Sequence, residues 1–184
     1  QIEIKNRIRD QIIPARGVRV RTTDIPGFPA CEIPSELYDL EVGKDRVDLL
    51  YKMMEDALGE LEERKQADVN PEHPLTKLLR ARQALELIKL PIMQDLADDY
   101  LEKGFSVALF VNFQQSVKEL RKMFKTDCFI DGSPEGVRQR QKNIDKFQAN
   151  DSRLIVVNNA AGGICVSLQD LTGFAPRVGL VMPD

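Results

Sequence analysis

The chain has 184 residues, 42% hydrophobic and 30% charged, the composition of a soluble globular protein able to build one substantial domain with an appendage. Its net charge of −3 divides into 16 Lys/Arg against 21 Asp/Glu over residues 1–104 and 10 against 8 over residues 105–184. Neither half therefore has the basic excess of a freestanding nucleic-acid binder. No apolar run is long enough to span a membrane, the opening Gln1-Ile-Glu-Ile-Lys5 lacks the build of a secretory signal, and the single His73 cannot anchor a histidine-rich metal site.

From the start, Ile2, Ile4, Ile8, Ile12 and Ile13 predict a short helix that Pro14 ends. Arg16-Gly-Val-Arg-Val-Arg21 alternates as an edge strand or extended segment would. With Arg7 and Arg9, its arginines make a basic cluster that is either a solvated face or a phosphate-contacting patch. Asp24-Ile-Pro-Gly-Phe-Pro29 is turn chemistry, and Ala30 to Ile33 predicts one short strand.

Between Lys44 and Arg64, Val47, Leu50, Tyr51, Met54, Leu58 and Leu61 fall three or four apart, one apolar stripe on a helix. A polar loop, Gln66 to Pro74, leads to a second amphipathic helix carrying Leu75, Leu78, Leu79, Leu85 and Ile88. Pro91 is expected to start or kink a third, with Ile92, Leu96, Tyr100 and Leu101, which Gly104 closes. Met53, Met54 and Met93 read as core filler. The domain plan is thus an irregular linker over 1–43, a helical lead-in over 44–103 and an α/β region over 104–184.

That last region is the most informative. Ser106-Val-Ala-Leu-Phe-Val111 and Leu154-Ile-Val-Val157 are short apolar runs bounded by polar residues, the pattern of strands buried on both faces of a parallel sheet. Helical patterns separate them, so the unit is β-α-β, with a final apolar run at Val178 to Met182. Ligands of such sheets lie beyond the carboxyl ends of the strands. Those ends carry Asn112, Asp131-Gly132-Ser133, Asn158-Asn159 and Ala161-Gly162-Gly163. Asp131 and Ser133 can cap the following helix and Gly132 can supply a tight turn, while Arg138 and Arg140 either reach a phosphate or face water. Consecutive amides at Gly162-Gly163 can cradle an anion. No G-x-x-x-x-G-K-[ST], G-x-G-x-x-G or Ser-His-Asp arrangement is present, so no complete catalytic site is expected within these residues. Cys31, Cys128 and Cys165 are odd in number with no C-x-x-C, and read as small apolar side chains in a reduced, intracellular compartment.

The order of these motifs resembles one known pattern. Phe110-Val-Asn-Phe113, Asp131-Gly-Ser133, Arg140-x-x-x-Ile144-x-x-Phe147 and Asn158-Asn-Ala-Ala-Gly-Gly-Ile-Cys-Val-Ser-Leu-Gln169 together resemble the second, C-terminal RecA-like lobe of superfamily-two helicases, most of all the Snf-type (SWI/SNF-like) DNA translocases. Arg16 to Tyr51 and Leu75 to Leu101 are similar to that family's stretches leading into the lobe. The resemblance implies a parallel sheet flanked by helices and a role in an ATP-dependent DNA translocase or helicase, a hydrolase acting on ATP. It implies an ATP cleft walled by Gly162, Gly163, Ser167, Leu168 and Asp170, and nucleic-acid contacts through Asn112, Phe113, Asp131, Gly132, Arg140, Asn158 and Asn159. Asn159 and Ala160 stand where the family often has Thr and Arg. ATP and Mg2+ are implied for the full-length protein, with neither held by this stretch alone. Its expected partners are nucleic acid, DNA in the first place, and the first RecA-like lobe of the same polypeptide, with no membrane. On this pattern the stretch is a fragment of a motor. Its arginine-finger motif is expected beyond Asp184, its phosphate loop on the first lobe, and its location cytoplasmic or nuclear, a viral or phage origin left open. The alternative is a stand-alone α/β module that binds a protein or an anion without catalysis.

Overall fold

A computed structural model describes Pro26 and residues 44–63, 74–162 and 166–183. All but Pro26 fall in one compact unit, Tyr38–Asp184, distinct from Gln1–Leu37. Pro26 sits in a turn, as its neighbourhood predicts. The expected helix over 2–13, the extended segments at 16–21 and 30–33, the basic cluster Arg7–Arg21, and Cys31, His73, Gly163 and Cys165 lie outside the described residues.

The elements are α1 (Lys44–Glu63), α2 (Pro74–Glu102), β1 (Ser106–Val111), α3 (Gln114–Phe124), β2 (Phe129–Ile130), α4 (Pro134–Gln148), β3 (Leu154–Asn158), the single turn α5 (Asn159–Gly162) and β4 (Arg177–Val181). The strands form one sheet in the order β2-β3-β1-β4, every pair parallel. Val107 lies opposite Leu154 and Val178, and Phe129 opposite Val156.

Side chains alternate across a strand, so each strand feeds two cores. Val107, Leu109, Val111, Leu154, Val156 and Phe129 point to the face covered by α2 and α3, where they meet Leu90, Met93, Ala97, Val117 and Leu120. Ala108, Ile130, Ile155 and Val157 point to the other face and meet Ile144 and Phe147 of α4. Burial on both faces explains why these strands read as continuous apolar runs. Cys128 belongs to the α4 face, where burial pushes its thiol up and its Sγ donates to the Asn143 carbonyl at 3.4 Å, in keeping with a small apolar role.

The helical lead-in differs from expectation in two respects. α2 runs unbroken through Pro91, because Leu90, Met93 and Ala97 around it are buried against the sheet while the ring itself faces outward. The seam of α1 is also narrower than the predicted stripe. Leu50 and Ala57 are buried and Val47 and Met54 partly so, an a/d spacing, and Val47, Leu50 and Met54 pack on Ala81, Ala84, Leu85 and Ile88. Tyr51, Met53 and Leu58 are exposed, as are Leu75 and Leu79 of α2, so Met53 is not core filler. At the end of α2, Gly104 adopts φ 91°, and the Gly104 and Phe105 amides donate to Leu101 and Tyr100 carbonyls. That is the left-handed closure a glycine supplies most readily.

Candidate functional site

The carboxyl ends of β1, β2 and β3 converge on one edge, and side-chain amides knit that edge together. Asn112, just past β1, is the hub. Its carbonyl accepts from Asn158 Nδ2 at 3.0 Å, its Oδ1 accepts from Asn159 Nδ2 at 2.6 Å, and its own Nδ2 donates to the Met182 carbonyl at 3.5 Å. The ends of β1, β3 and β4 are thereby tied together. Asn158 is buried, so its amide would be costly to leave unpaired.

The turn from β2 to α4 lies beside this hub. Asp131 is buried and its Oδ1 accepts from the Ser133 amide at 3.0 Å and the Ser133 hydroxyl at 2.6 Å. Ser133 is the N-cap of α4: its Oγ accepts from the Gly136 amide at 3.0 Å, and Pro134 follows at the first helical position. Gly132 is exposed next to the Gln114 side chain, which brings the β2–α4 and β1–α3 turns together.

From α4, Arg140 reaches across to α5 and donates to the Ala161 carbonyl at 2.8 Å, whereas Arg138 faces water. The end of β3 and the helical turn Asn159–Gly162 are therefore pinned from both sides, by Asn112 and by Arg140. Phe113 is the N-cap of α3 and has no side-chain capping bond of its own. Glu86 of α2 braces the turn that enters the helix: its carboxylate accepts from the Asn112 and Phe113 amides at 3.0 to 3.2 Å.

Sequence reasoning missed Glu86. The available signal was an acid between Leu85 and Leu87 in an apolar stretch of helix, where a charge needs a partner. A crevice of about 80 Å³ opens beside it, lined by Tyr51, Arg82, Lys89, Asn112 and Phe113 among others.

Of the residues expected to wall an ATP cleft, Gly162 lies at this edge, ending α5. Ser167, Leu168 and Asp170 are not gathered with it. The chain after 166 passes along α4, with Val166 and Leu168 packed on the Ile144–Phe147 core and the Ser167 carbonyl accepting from Gln148 Nε2 at 2.9 Å. Asp170 lies at the opposite, amino edge. It accepts from the Ala175 amide, the Asn150 side chain, and the Thr172 amide and hydroxyl, all within 2.9 Å, with Arg177 at 3.6 Å. Arg177 opens β4 opposite Ser106, the first residue of β1, which fixes that location. The Ala175 amide first, then the Thr172 and Asn150 donors, hold the Asp170 carboxyl well below the usual carboxylate range against the effect of desolvation. The loop 170–177 is thus self-contained, and Asp170 stabilises it.

Among the described residues no group of three or more His, Cys, Asp or Glu is placed to hold a metal ion, and no helix is long and apolar enough to cross a membrane.

Over 168 residues the chain is 34% identical to a protein of Acanthamoeba polyphaga mimivirus provisionally named an ATP-dependent RNA helicase. The match covers 90% of this chain and 30% of the relative, so the chain spans about a third of that protein's length. No protein-family model matches the chain, and no solved structure matches it. The identity supports a helicase-type superfamily, and the parallel four-stranded sheet flanked by helices is an α/β, RecA-like arrangement consistent with a helicase domain.

Proposed function

We propose that this chain is the second RecA-like lobe of an ATP-driven nucleic-acid motor, a translocase or helicase of the Snf type acting on DNA, with the domain limits 1–43, 44–103 and 104–184. What carries the reading is the similarity to a helicase-named relative along nearly the whole chain, together with polar residues gathered where a parallel sheet takes its ligands. In this reading Asn112, Phe113, Asp131, Gly132, Arg140, Asn158 and Asn159 form the edge that meets the nucleic-acid backbone. Asn112 and Asn159 present short amides, and Gly132 leaves room for close approach. Contacts to the backbone and not to base edges suit a motor that must move along any sequence.

Gly162 backs the nucleotide on the same edge, Gly163 is assigned to the same wall from its place in the sequence, and Ser167, Leu168 and Asp170 hold the segment that follows. ATP supplies the phosphoryl transfer that drives the motor, a reaction catalysed by positioning and charge stabilisation. In this reading the metal ligands and the phosphate loop belong to the first lobe. This chain's own work is to orient and to exclude water.

The name of the mimivirus relative specifies RNA, and the test separates the two substrates. ATP hydrolysis by the full-length protein is measured alone, with duplex DNA and with single-stranded RNA. A rise with DNA is expected. A rise with RNA alone keeps the motor and overturns the DNA assignment, and indifference to both overturns the motor.

A further inference from the structure

Glu86 is 4% exposed, one of the few charged side chains buried among the described residues. It lies on α2, 26 positions before the turn it contacts. Oε1 accepts from the Asn112 amide at 3.2 Å and the Phe113 amide at 3.1 Å, and Oε2 accepts from the Asn112 amide at 3.0 Å. A carboxylate on amide donors at a helix N-terminus is favoured by charge-assisted hydrogen bonds and by the helix dipole. The two amides it holds belong to the turn entering α3, that of the N-cap residue Phe113 and that of the residue before it.

Arg82 and Lys89 stand four before and three after Glu86, the spacing at which a surface acid pairs along its own helix. The carboxylate turns instead to the backbone of a different element. The turn it fixes is the one from which the Asn112 side chain reaches Asn159 and Met182, and the Asn112 carbonyl reaches Asn158. Position therefore passes from the helical lead-in, through one side chain, to three strand ends.

We infer that Glu86 is a positioning residue for the nucleic-acid edge: by holding the Asn112 and Phe113 amides, it presents Asn112 and Phe113 to the backbone of the bound strand. The inference rests on the function proposed above. Without the carboxylate, two amides lose their acceptor, the turn into α3 loses its brace, and Asn112 is free to turn away from Asn158 and Asn159. The affinity for nucleic acid then falls, while the rate at saturation, set by the nucleotide wall, is regained.

The test titrates the ATPase of full-length protein with mixed-sequence duplex DNA and with single-stranded RNA, for wild type, Glu86→Gln, Glu86→Asp and Glu86→Ala. For the polynucleotide that stimulates wild type, Glu86→Ala is expected to raise the half-saturating concentration about tenfold and Glu86→Gln about threefold, with the maximal rate regained at saturation to within about twofold. Glu86→Asp, one methylene short of the amides, falls between wild type and Glu86→Ala. Variants that melt earlier but half-saturate as wild type does would make Glu86 a structural brace only, overturning the inference and leaving the motor intact. A wild type indifferent to both polynucleotides overturns the motor and this inference with it. If Glu86→Ala does not fold, the near-isosteric Glu86→Gln carries the comparison.

Discussion

Gly136 sits directly against Asp131. A Cβ built on Gly136 would overlap the Asp131 Oδ1 and lie 2.8 Å from the Asp131 carbonyl oxygen. The carboxylate is in turn fixed by the Ser133 amide and hydroxyl, so it has little freedom to retreat. Gly136→Ala sets two effects against each other. Helix propensity favours alanine by about 1 kcal/mol. The overlap forces a backbone shift or breaks the Asp131–Ser133 turn, a change of the overpacking kind that costs about 1–3 kcal/mol. The overlap is with a held carboxylate and with backbone, so sterics wins. Urea unfolding should show Gly136→Ala less stable than wild type; an equal or higher midpoint would show that the carboxylate swings aside.

The Asp170 loop gives a pH dependence. Its carboxyl is held low by the Ala175 amide, the Thr172 donors and Asn150, so the folded state binds the proton more weakly than the unfolded chain. The stabilisation is complete above the ordinary carboxylate value of about 4 and is lost as pH falls through the depressed folded one. Asp170→Asn keeps the shape but turns an NH2 toward these donors. Thermal melts at neutral pH should show the variant unfolding earlier, and the gap should narrow steadily in acid. A gap independent of pH would mean that the charge of Asp170 contributes nothing.

Arg140 and Arg138 look alike in sequence, two arginines on one helix, and the structure separates them. Arg140 is tied to the Ala161 carbonyl and Arg138 is exposed. Arg140→Ala should therefore cost about 1–2 kcal/mol of stability, as loss of a charge-assisted hydrogen bond does, whereas Arg138→Ala should stay within about 0.5 kcal/mol of wild type. Chemical denaturation of the two variants side by side checks this, and equal effects would refute the distinction.

The contrast between these arginines also marks how far sequence reasoning reaches. The runs at 106–111 and 154–157 declared a parallel sheet because burial on both faces leaves no room for polar alternation, and Val107 opposite Leu154 bears that out. The Ser133 cap was legible too, since a short oxygen-bearing side chain ahead of Pro134 has one natural use. Glu86 was not legible, because its partners are backbone amides far along the chain and no spacing rule links a helix residue to a turn it meets only in the fold. Asp170 was placed in a cleft by its neighbours in sequence. Segment 166–176 instead carries it along α4 to the opposite edge, a path set by Leu168 and Gln148 contacts and by no local pattern. On α1, Tyr51 and Leu58 matched the helical period as well as Ala57 did. Ala57 is nonetheless buried while those two are exposed, and hydrophobicity alone ranks it last.

Pro91 is the remaining point of tension, a helix breaker in the middle of the unbroken α2. Proline withholds the N–H that would bond the carbonyl four residues back, that of Leu87, and its ring crowds the same carbonyl; in a helix interior this costs about 3 kcal/mol. The cost is tolerated because α2 is clamped on both sides of it. Ala81, Leu85 and Ile88 pack on α1, and Leu90, Met93 and Ala97 pack on the sheet. The ring is exposed, so Pro91→Ala removes little packing and restores a donor to the helix. Stability should rise by about 1–2 kcal/mol, less than the full helix-interior penalty because proline also restrains the unfolded chain. Urea unfolding checks the sign. A loss of stability instead would mean that α2 needs the bend a proline imposes in order to serve α1 with one stretch and the sheet with the next.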